Sequence, residues 1–489
     1  MPEFAEVVFP AFSDSGLPAF VAILVGLRAV SLAIAVVAYL LIAMAVWTWR
    51  ARRRKREADE RLSPATPRPF GLPETVEPAL TQAEALATYA HRPDRFRRAS
   101  AVKLLVDGRE AFPEMLTAIE SATAAVSLET YILRADRTGT RFQEALCRAA
   151  RRGVRVRLLY DYIGSLALPG SFVRELTDAG VEVAVYHPLM LDRPIWLMNR
   201  RDHRKILVVD GNVMFIGGLN IADENAPAED GGGGWRDTHL RLEGRQVAEE
   251  GQRLFELGWR KADVLGVTRT RAARLRAGLS SSLRKLVRRT AARRRGARAP
   301  GLVQEAAGVP VYVVGNDEFR YRWRIHHDYL HAVRHARRYI LIENAYFIPM
   351  GAVRRALARA VKRGVVVAVA VPGHSDVPIA AYAGRRLYAE LLKSGVRIFE
   401  WPREMLHAKT AVIDDVWAIV GSYNFDHRSL FHQLEAVAIV MDRDFATRLR
   451  EQSLADIAQC REVMLSEHES RSRWRTLVER AAYMLRHWL

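Results

Sequence analysis

The sequence predicts an α/β protein of two similar domains, each a mixed β-sheet flanked by helices, preceded by an N-terminal transmembrane helix. Three observations predict this. Helical and strand-like segments alternate in the same order in both halves of the chain. Two copies of one His/Lys/Asp pattern occupy matching places in those halves. An uncharged apolar run near the N-terminus is followed by a dense basic block.

Ala29 to Thr48 carries no charge and is long enough to cross a bilayer core. Apolar sequence extends back to Leu17, broken by Arg28. Arg50, Arg52, Arg53, Arg54, Lys55 and Arg56 follow, while Glu3, Glu6 and Asp14 precede. That charge order is reversed for a cleaved signal peptide. It predicts a single span in the inner membrane with everything after it in the cytoplasm. Trp47 and Trp49 fall where an interfacial aromatic belt sits. A buried core helix is the competing reading, and the charge block suits a headgroup boundary better. Residues 1–56 are therefore expected to be an anchor with a basic flank. Residues 57–100, polar and rich in proline, read as a linker with one helix near Thr81–Ala90.

The first domain is expected over 101–266. Phe112–Ala122 reads as helix, Ala125–Ile132 as strand, Arg141–Arg151 as helix and Val154–Asp161 as a buried strand, with Gly153 at the helix stop. The second domain is expected over 301–465. There His327–His335 reads as helix, Tyr339–Asn344 as strand, Val353–Val361 as helix and Val365–Val371 as strand after Gly364. The phrases ARRGVRVRLLYD and AVKRGVVVAVAV align, as do LETYI and IENAYF. Such alternation predicts mixed, mostly parallel sheets, and the duplication predicts two related domains rather than a solenoid.

Between the domains, residues 267–300 contain a basic stretch from Arg269 to Arg298 without an acid. Leu275, Leu279, Leu283 and Leu286 recur there near helical spacing, which fits either a helix on an anionic membrane or a solvated linker. Residues 466–489 read as an amphipathic helix. Trp474, Leu477, Val478, Ala481, Leu485 and Trp488 can form one face, with Arg473, Arg475, Arg480 and Arg486 nearby. Core packing and membrane contact both remain open for it.

The formal net charge of +19 fits nucleic acid, an anionic membrane or a phosphorylated substrate. The basic residues concentrate after the span and in 269–298, not interleaved with aromatics for base stacking, which disfavours nucleic acid. Cys147 and Cys460 are the two cysteines, which argues against a disulfide scaffold or a cysteine zinc site.

The chemistry is carried by His203, Lys205 and Asp210, followed by Gly217, Gly218 and Asn220. His407, Lys409 and Asp414 repeat the pattern, followed by Gly421, Ser422 and Asn424 at identical offsets. The apolar runs ILVV and TAVI after each lysine read as buried strands, in which residues i and i+2 share a face. Each histidine thus lies beside a fixed positive charge. Gly218 and Ser422 are expected to let a phosphate approach the backbone, and Asn220 and Asn424 to donate to phosphate oxygens. Two lysines and two asparagines can stabilise the charge that builds during phosphodiester displacement, so no metal or other cofactor is expected. One imidazole attacks phosphorus and the other protonates the leaving alcohol. Each ring needs an acceptor on its other nitrogen, and Asp237 and Glu435 are the candidates. Asp210 and Asp414, though part of the motif, suit a structural hydrogen-bonding role. Neither motif histidine has a Cys or second His at ligand spacing, and each lies beside a lysine, which opposes a cation. His327, His331 and His335 share a helical face that can hold a metal, but no matching cluster occurs in the first half. A surface or packing role fits them better.

At these motifs the sequence resembles the phospholipase D superfamily, most closely the bacterial cardiolipin synthases. The resemblance runs from about Val102 to Leu465 and includes VKLLVDGREAFPEML, HRKILVVDGNVMFIGGLNIADE, GWRDTHLRLEG, ENAYFIP and LHAKTAVIDDVWAIVGSYNFDHRS. It implies two phospholipase D-type domains whose motifs face each other in one cleft, and a covalent intermediate on His203 or His407. It implies that Lys205, Lys409, Asn220 and Asn424 bind phosphate. It implies transfer of a phosphatidyl group between phosphatidylglycerol molecules, or to a related alcohol, with release of glycerol and without a metal. A hydrolytic phospholipase D releasing phosphatidate is the alternative, since the motifs serve both. A nuclease fits less well. The sequence departs from the family in its single expected span and in the Gly231–Gly234 run, which reads as a flexible loop near the site. The apolar residues before His203, from Pro188 to Met198, fit either lipid tails or core.

Overall fold

The computed structural model describes residues 70–72, 80–188, 199–264, 308–316 and 321–488. The apolar run at 29–48, the basic stretch at 269–298 and residues 189–198 lie outside the described residues. No helix among the described residues is long and apolar enough to cross a membrane.

The duplication is visible strand by strand. In the first sheet, Glu182–Tyr186, Arg155–Asp161, Ala125–Thr130, Ile206–Val209, Val213–Gly217, Thr238–Glu243 and Ala101–Val106 lie side by side. In the second, Arg397–Trp401, Val366–Pro372, Tyr339–Asn344, Lys409–Ile413, Trp417–Gly421, Ala436–Val440 and Val309–Gly315 follow the same order. Helices Arg137–Arg151 and Gly351–Lys362 occupy equivalent crossovers.

The sheets are mixed, but mostly antiparallel rather than mostly parallel. Within the two large sheets, parallel pairing is confined to the helix-connected strands, such as Ala125–Thr130 with Arg155–Asp161 and Tyr339–Asn344 with Val366–Pro372. The motif strands instead turn back through tight hairpins, which force antiparallel pairing. Asp210 (φ 50°) and Gly211 (φ 62°) make one hairpin left-handed, and Asp414 (φ 56°) and Asp415 (φ 58°) the other.

Alternation along the motif strands divides the core. Ile206 and Val208 face a central cluster that also contains Leu240, Val412, Val420 and Ala438, so both sheets contribute to one core. Leu207 and Val209 face the helices of the first half, and Ala411 and Ile413 those of the second. Helices, sheet, sheet and helices therefore stack in layers, with the motif strands central in both sheets.

The 57–100 segment is not a linker throughout. Gln82–Tyr89 is a helix with a capping box between Thr81 and Glu84. Arg97–Ala99 forms an extra edge strand of the second sheet. Tyr89 is buried and its hydroxyl donates to Asp414 at 2.6 Å, so this segment is part of the second half's core. His331 and His335 lie on helix Arg324–His335 near it. A His331 ring nitrogen is 3.1 Å from the Thr88 carbonyl, and the His331 ring lies 5.6 Å from that of His91.

Candidate active site

Each motif strand begins at the seam between the halves. His203 and Lys205 precede strand Ile206–Val209 rather than lying within it, and Lys409 opens the second motif strand, with His407 just outside. The reason is that the residues before each strand pair with the opposite half. Arg201–Asp202 runs parallel to Gln433–Leu434, and the His203 amide donates to the Leu434 carbonyl at 2.9 Å. In the counterpart, the His407 amide donates to the Arg236 carbonyl at 2.7 Å, and Arg236 donates back to Met405 at 3.0 Å. Backbone hydrogen bonds thus fix both histidines relative to the other half.

The side chains repeat this exchange. His203 Nδ1 lies 3.1 Å from both carboxylate oxygens of Glu435, an acid of the second half. His407 Nδ1 lies 2.6 Å from Asp237 Oδ2, an acid of the first half. Both acids are fully buried. Neither motif therefore has its ring oriented without the other half. Lys205 Nζ donates to the His203 carbonyl at 2.7 Å, and Lys409 Nζ to that of His407. Tyr131 packs edge-on against His203 at 5.0 Å and beneath the Lys205 ammonium at 5.2 Å. Trp235 packs against His407 at 5.3 Å.

The electrostatics follow from burial and from two ammonium groups in one place. Burial first, then Lys205, Lys409 and His407, hold the His203 imidazole well below its ordinary pKa. Burial and Lys409 also lower His407, while Asp237 opposes them. Burial lowers Lys205 to about 7 and Lys409 to about 8. Burial pushes the Glu435 carboxyl up to about 8, against the pull of Lys205. Asp237 is pushed up by burial, but Lys409 and His407 outweigh this and hold it low. The motif groups of both halves thus perturb one another, as buried groups gathered near one another do. The two acids also differ. Asp237 is held as a carboxylate, whereas Glu435 retains a proton more readily.

The small residues Gly218 and Ser422 each lie against a buried acid. A Cβ on Gly218 would fall 2.1 Å from Asp237 Oδ1, so glycine there makes room for the orienting carboxylate. Ser422, its counterpart, donates its hydroxyl to Glu435 Oε2, and Ser429 donates to Glu435 Oε1 at 2.7 Å. Both positions thus lie against the acid that faces a motif histidine. Asn220 and Asn424 are buried. Asn220 Oδ1 accepts from the Ile132 amide at 3.2 Å, and Asn424 Oδ1 has no partner among the described residues.

Asp210 and Asp414 follow the far ends of the motif strands, opposite the ends at His203 and His407. Asp210 accepts from the amides of Thr123, Ala124 and Ala125 at 2.8–2.9 Å. Asp414 accepts from those of Arg337, Arg338 and Tyr339 at 2.7–2.9 Å. They tie each hairpin to the loop entering the neighbouring strand. The Gly231–Gly234 run is a compact turn rather than a flexible loop. Gly232, Gly233 and Gly234 donate to Pro227, Asp223 and Ala226 at 2.7–2.9 Å, and a Cβ on Gly232 would meet the Ala226 carbonyl at 2.4 Å.

Several site residues carry no duplicated signal. Tyr131 aligns with Ala345, so comparing the halves does not reveal it. Asn316 Oδ1 accepts the Glu435 amide at 2.6 Å from a distant strand end. Arg236, adjacent to Asp237, pairs with Asp456 at 2.8 Å and Asp107 at 3.4 Å and lies 3.9 Å from Glu343, linking the halves beside the site. The basic residue next to Asp237 in the WRD phrase was the available clue.

The family described as "Cardiolipin synthase, PLD-like domain" matches residues 115–259 and 329–456, one segment per half. Cardiolipin synthase B of Escherichia coli is 36% identical over 399 residues, 80% of this chain and 89% of that protein. A cardiolipin synthase of Halalkalibacterium halodurans is 32% identical over 384 residues, 78% of this chain and 71% of that protein. The crystal structure of a phosphatidylserine synthase from Haemophilus influenzae shares the fold, with a TM-score of 0.60 and 14% identity, covering 81% of this chain and 97% of that one. With both half-sites intact and both halves matched, the chain belongs to the cardiolipin synthase family of phospholipase D-like enzymes.

Proposed function

We propose that this enzyme joins two phosphatidylglycerol molecules into cardiolipin and releases glycerol, through a phosphatidyl-histidine intermediate. The observation that carries the reading is the reciprocal pairing of His203 with Glu435 and His407 with Asp237. It favours one composite site in which each imidazole has its tautomer set by a buried acid.

The neutral imidazole of one histidine attacks phosphorus, and the phosphorus–oxygen bond to glycerol breaks. The imidazolium of the other histidine gives its proton to the departing glycerol oxygen. A hydroxyl of a second phosphatidylglycerol then attacks phosphorus and the nitrogen–phosphorus bond breaks. The second histidine, now neutral, takes the proton of that hydroxyl. Lys205, Lys409 and the amides of Asn220 and Asn424 stabilise the charge on the nonbridging oxygens. Water in place of the second lipid gives phosphatidate, so acceptor choice depends on excluding water from the cleft.

The domain plan assigned to this function is a first phospholipase D-like domain over 101–266 and a second over 301–465. The 29–48 run and its basic flank support a single-pass anchor in the inner membrane, with the catalytic halves on the cytoplasmic side. The partners are the phospholipid substrate and an anionic membrane rather than nucleic acid. Purified full-length enzyme in mixed micelles with phosphatidylglycerol should yield cardiolipin and equimolar glycerol by mass spectrometry. Phosphatidate as the sole lipid product would overturn the transferase reading.

A further inference from the structure

The most prominent exposed apolar feature of the described residues is at the C-terminus. Helix Arg473–Met484 and the turn after it expose Trp474 by 59%, Leu477 by 54%, Met484 by 75%, Leu485 by 46% and Trp488 by 71%. At about 100° per residue, Trp474, Leu477, Ala481, Met484 and Leu485 fall on one side of the helix. Arg473 and Arg480 run along one edge of that stripe, and Arg475 projects from the first turn, about 80° beyond the other edge. The opposite side faces the protein, where Glu479 and Ala482 are buried. Glu479 is occupied by Arg471 at 2.6 Å. Among the described residues, no acid pairs with Arg473, Arg475 or Arg480.

This pattern has the chemistry of an interfacial helix. A tryptophan-rich apolar stripe edged by arginines matches a boundary between acyl chains and anionic headgroups. A protein partner would need acids placed alongside an apolar strip, whereas an anionic bilayer supplies negative charge and an apolar interior at once. The surroundings favour the bilayer too. The helix packs on helix Pro378–Arg385, which begins just after Asp376. Asp376 accepts from the Tyr346 hydroxyl at 2.7 Å, and its charge acts on both His407 and Lys409. Past the helix end, the His487 ring meets His427 at 4.3 Å, three residues after Asn424. Exposed Val377 precedes Pro378, and exposed Leu166 follows the turn packed against Tyr131 on the other side of the site.

From this we infer that the C-terminal helix is a second membrane contact. Its exposed stripe lies in the surface of an anionic phospholipid bilayer, and this brings the mouth of the catalytic cleft to the headgroups. The contact is distinct from the N-terminal run and does not depend on which alcohol the site prefers.

The test uses the full-length enzyme reconstituted into vesicles, with an environment-sensitive fluorophore on Leu477→Cys or Trp488→Cys. The native Cys147 and Cys460 are buried and leave the introduced thiol as the reactive one. Glu144→Cys, on an exposed helix position of the first half, is the reference. In phosphatidylglycerol/phosphatidylcholine vesicles carrying brominated acyl chains, the labels at 477 and 488 should shift to shorter wavelength and be quenched, and the label at 144 should not. In phosphatidylcholine alone the quenching should fall several-fold, and Arg473→Gln, Arg475→Gln and Arg480→Gln together should reproduce that loss. Labels at 477 and 488 that report water in the anionic vesicles would overturn the inference. So would shielding that rises with protein concentration without acyl-chain quenching, because it would indicate a second copy on this face. Product analysis on the same samples separates the two claims. Insertion without cardiolipin would refute the proposed reaction only, and cardiolipin made with a water-exposed helix would refute this inference only.

Discussion

Replacing Asp237 with asparagine changes almost no volume but removes the charge that faces His407. The Asp237 side chain is fully buried, takes the His407 Nδ1 contact at 2.6 Å and accepts the Thr238 amide at 2.7 Å. An asparagine there turns either a carbonyl or an NH2 group toward the ring, and in the second case it selects the wrong tautomer. It also leaves the imidazolium that forms during turnover, together with Lys409, without a counter-charge in a buried site. Breaking a buried ionic pair by removing one partner costs about 3–5 kcal/mol. At about 1.4 kcal/mol per decade of rate, this predicts a loss of roughly 10²–10⁴ in kcat. Because the charge is needed in the transition state more than for lipid binding, KM should change little. The assay is initial-rate formation of cardiolipin from phosphatidylglycerol in micelles, with thermal unfolding as the control for folding. A folded Asp237→Asn enzyme within a few-fold of wild-type kcat would refute the orienting role.

Four further outcomes follow from the geometry. Gly218→Ala should impair turnover more than Ser422→Ala, because the first drives a methyl into the Asp237 carboxylate while the second removes one hydroxyl from Glu435. Comparable rates in both variants would contradict this. Arg236→Met should destabilise the fold by about 3–5 kcal/mol in denaturant titration, since it strands Asp456 and Glu343 in the interior. Asp414→Ala should lower the unfolding temperature while sparing kcat to within a few-fold, because Asp414 ties a hairpin and contacts no histidine; a folded variant without activity would assign it a direct role. His239 is buried and held at about 4, mainly by burial, so the unfolded chain binds a proton there first as the pH falls. Stability should therefore decline below about pH 6.5, by about 3 kcal/mol at pH 4 from this residue. Removing the imidazole by His239→Asn should flatten that part of the pH–stability curve, and an unchanged slope would exclude His239 as its source.

The duplicated parts of the molecule were the legible ones. Tyr339–Asn344 is a strand over the range expected for it, and the equivalent helices and strands differ from expectation by a few residues at their ends. The His/Lys/Asp offsets also located the motif groups, because identical spacing in two places is not a local accident. What the sequence hid was the exchange between halves. Asp237 and Glu435 were found as acids, yet nothing in their local pattern indicates that each serves the opposite histidine. That pairing depends on how Arg201–Asp202 and Gln433–Leu434 meet, which is a contact between segments more than 200 residues apart. The hairpins were similarly opaque. Apolar runs reveal that a strand is buried but not which direction its neighbour takes, so mostly parallel sheets were expected where left-handed turns at Asp210 and Asp414 reverse the chain. At Gly218 the choice of a small residue was seen, but not that the Asp237 carboxylate, just before the next strand, packs against it.

The most direct test is acid quenching of the enzyme during turnover of labelled phosphatidylglycerol, followed by mapping of the acid-labile adduct. The account predicts at most one phosphatidyl group per chain, carried on His203 or His407. It also predicts that replacing the other histidine stops glycerol release and cardiolipin formation. Two adducts per chain, or full turnover by either half with the opposite histidine removed, would mean that the halves act independently and that no composite site exists.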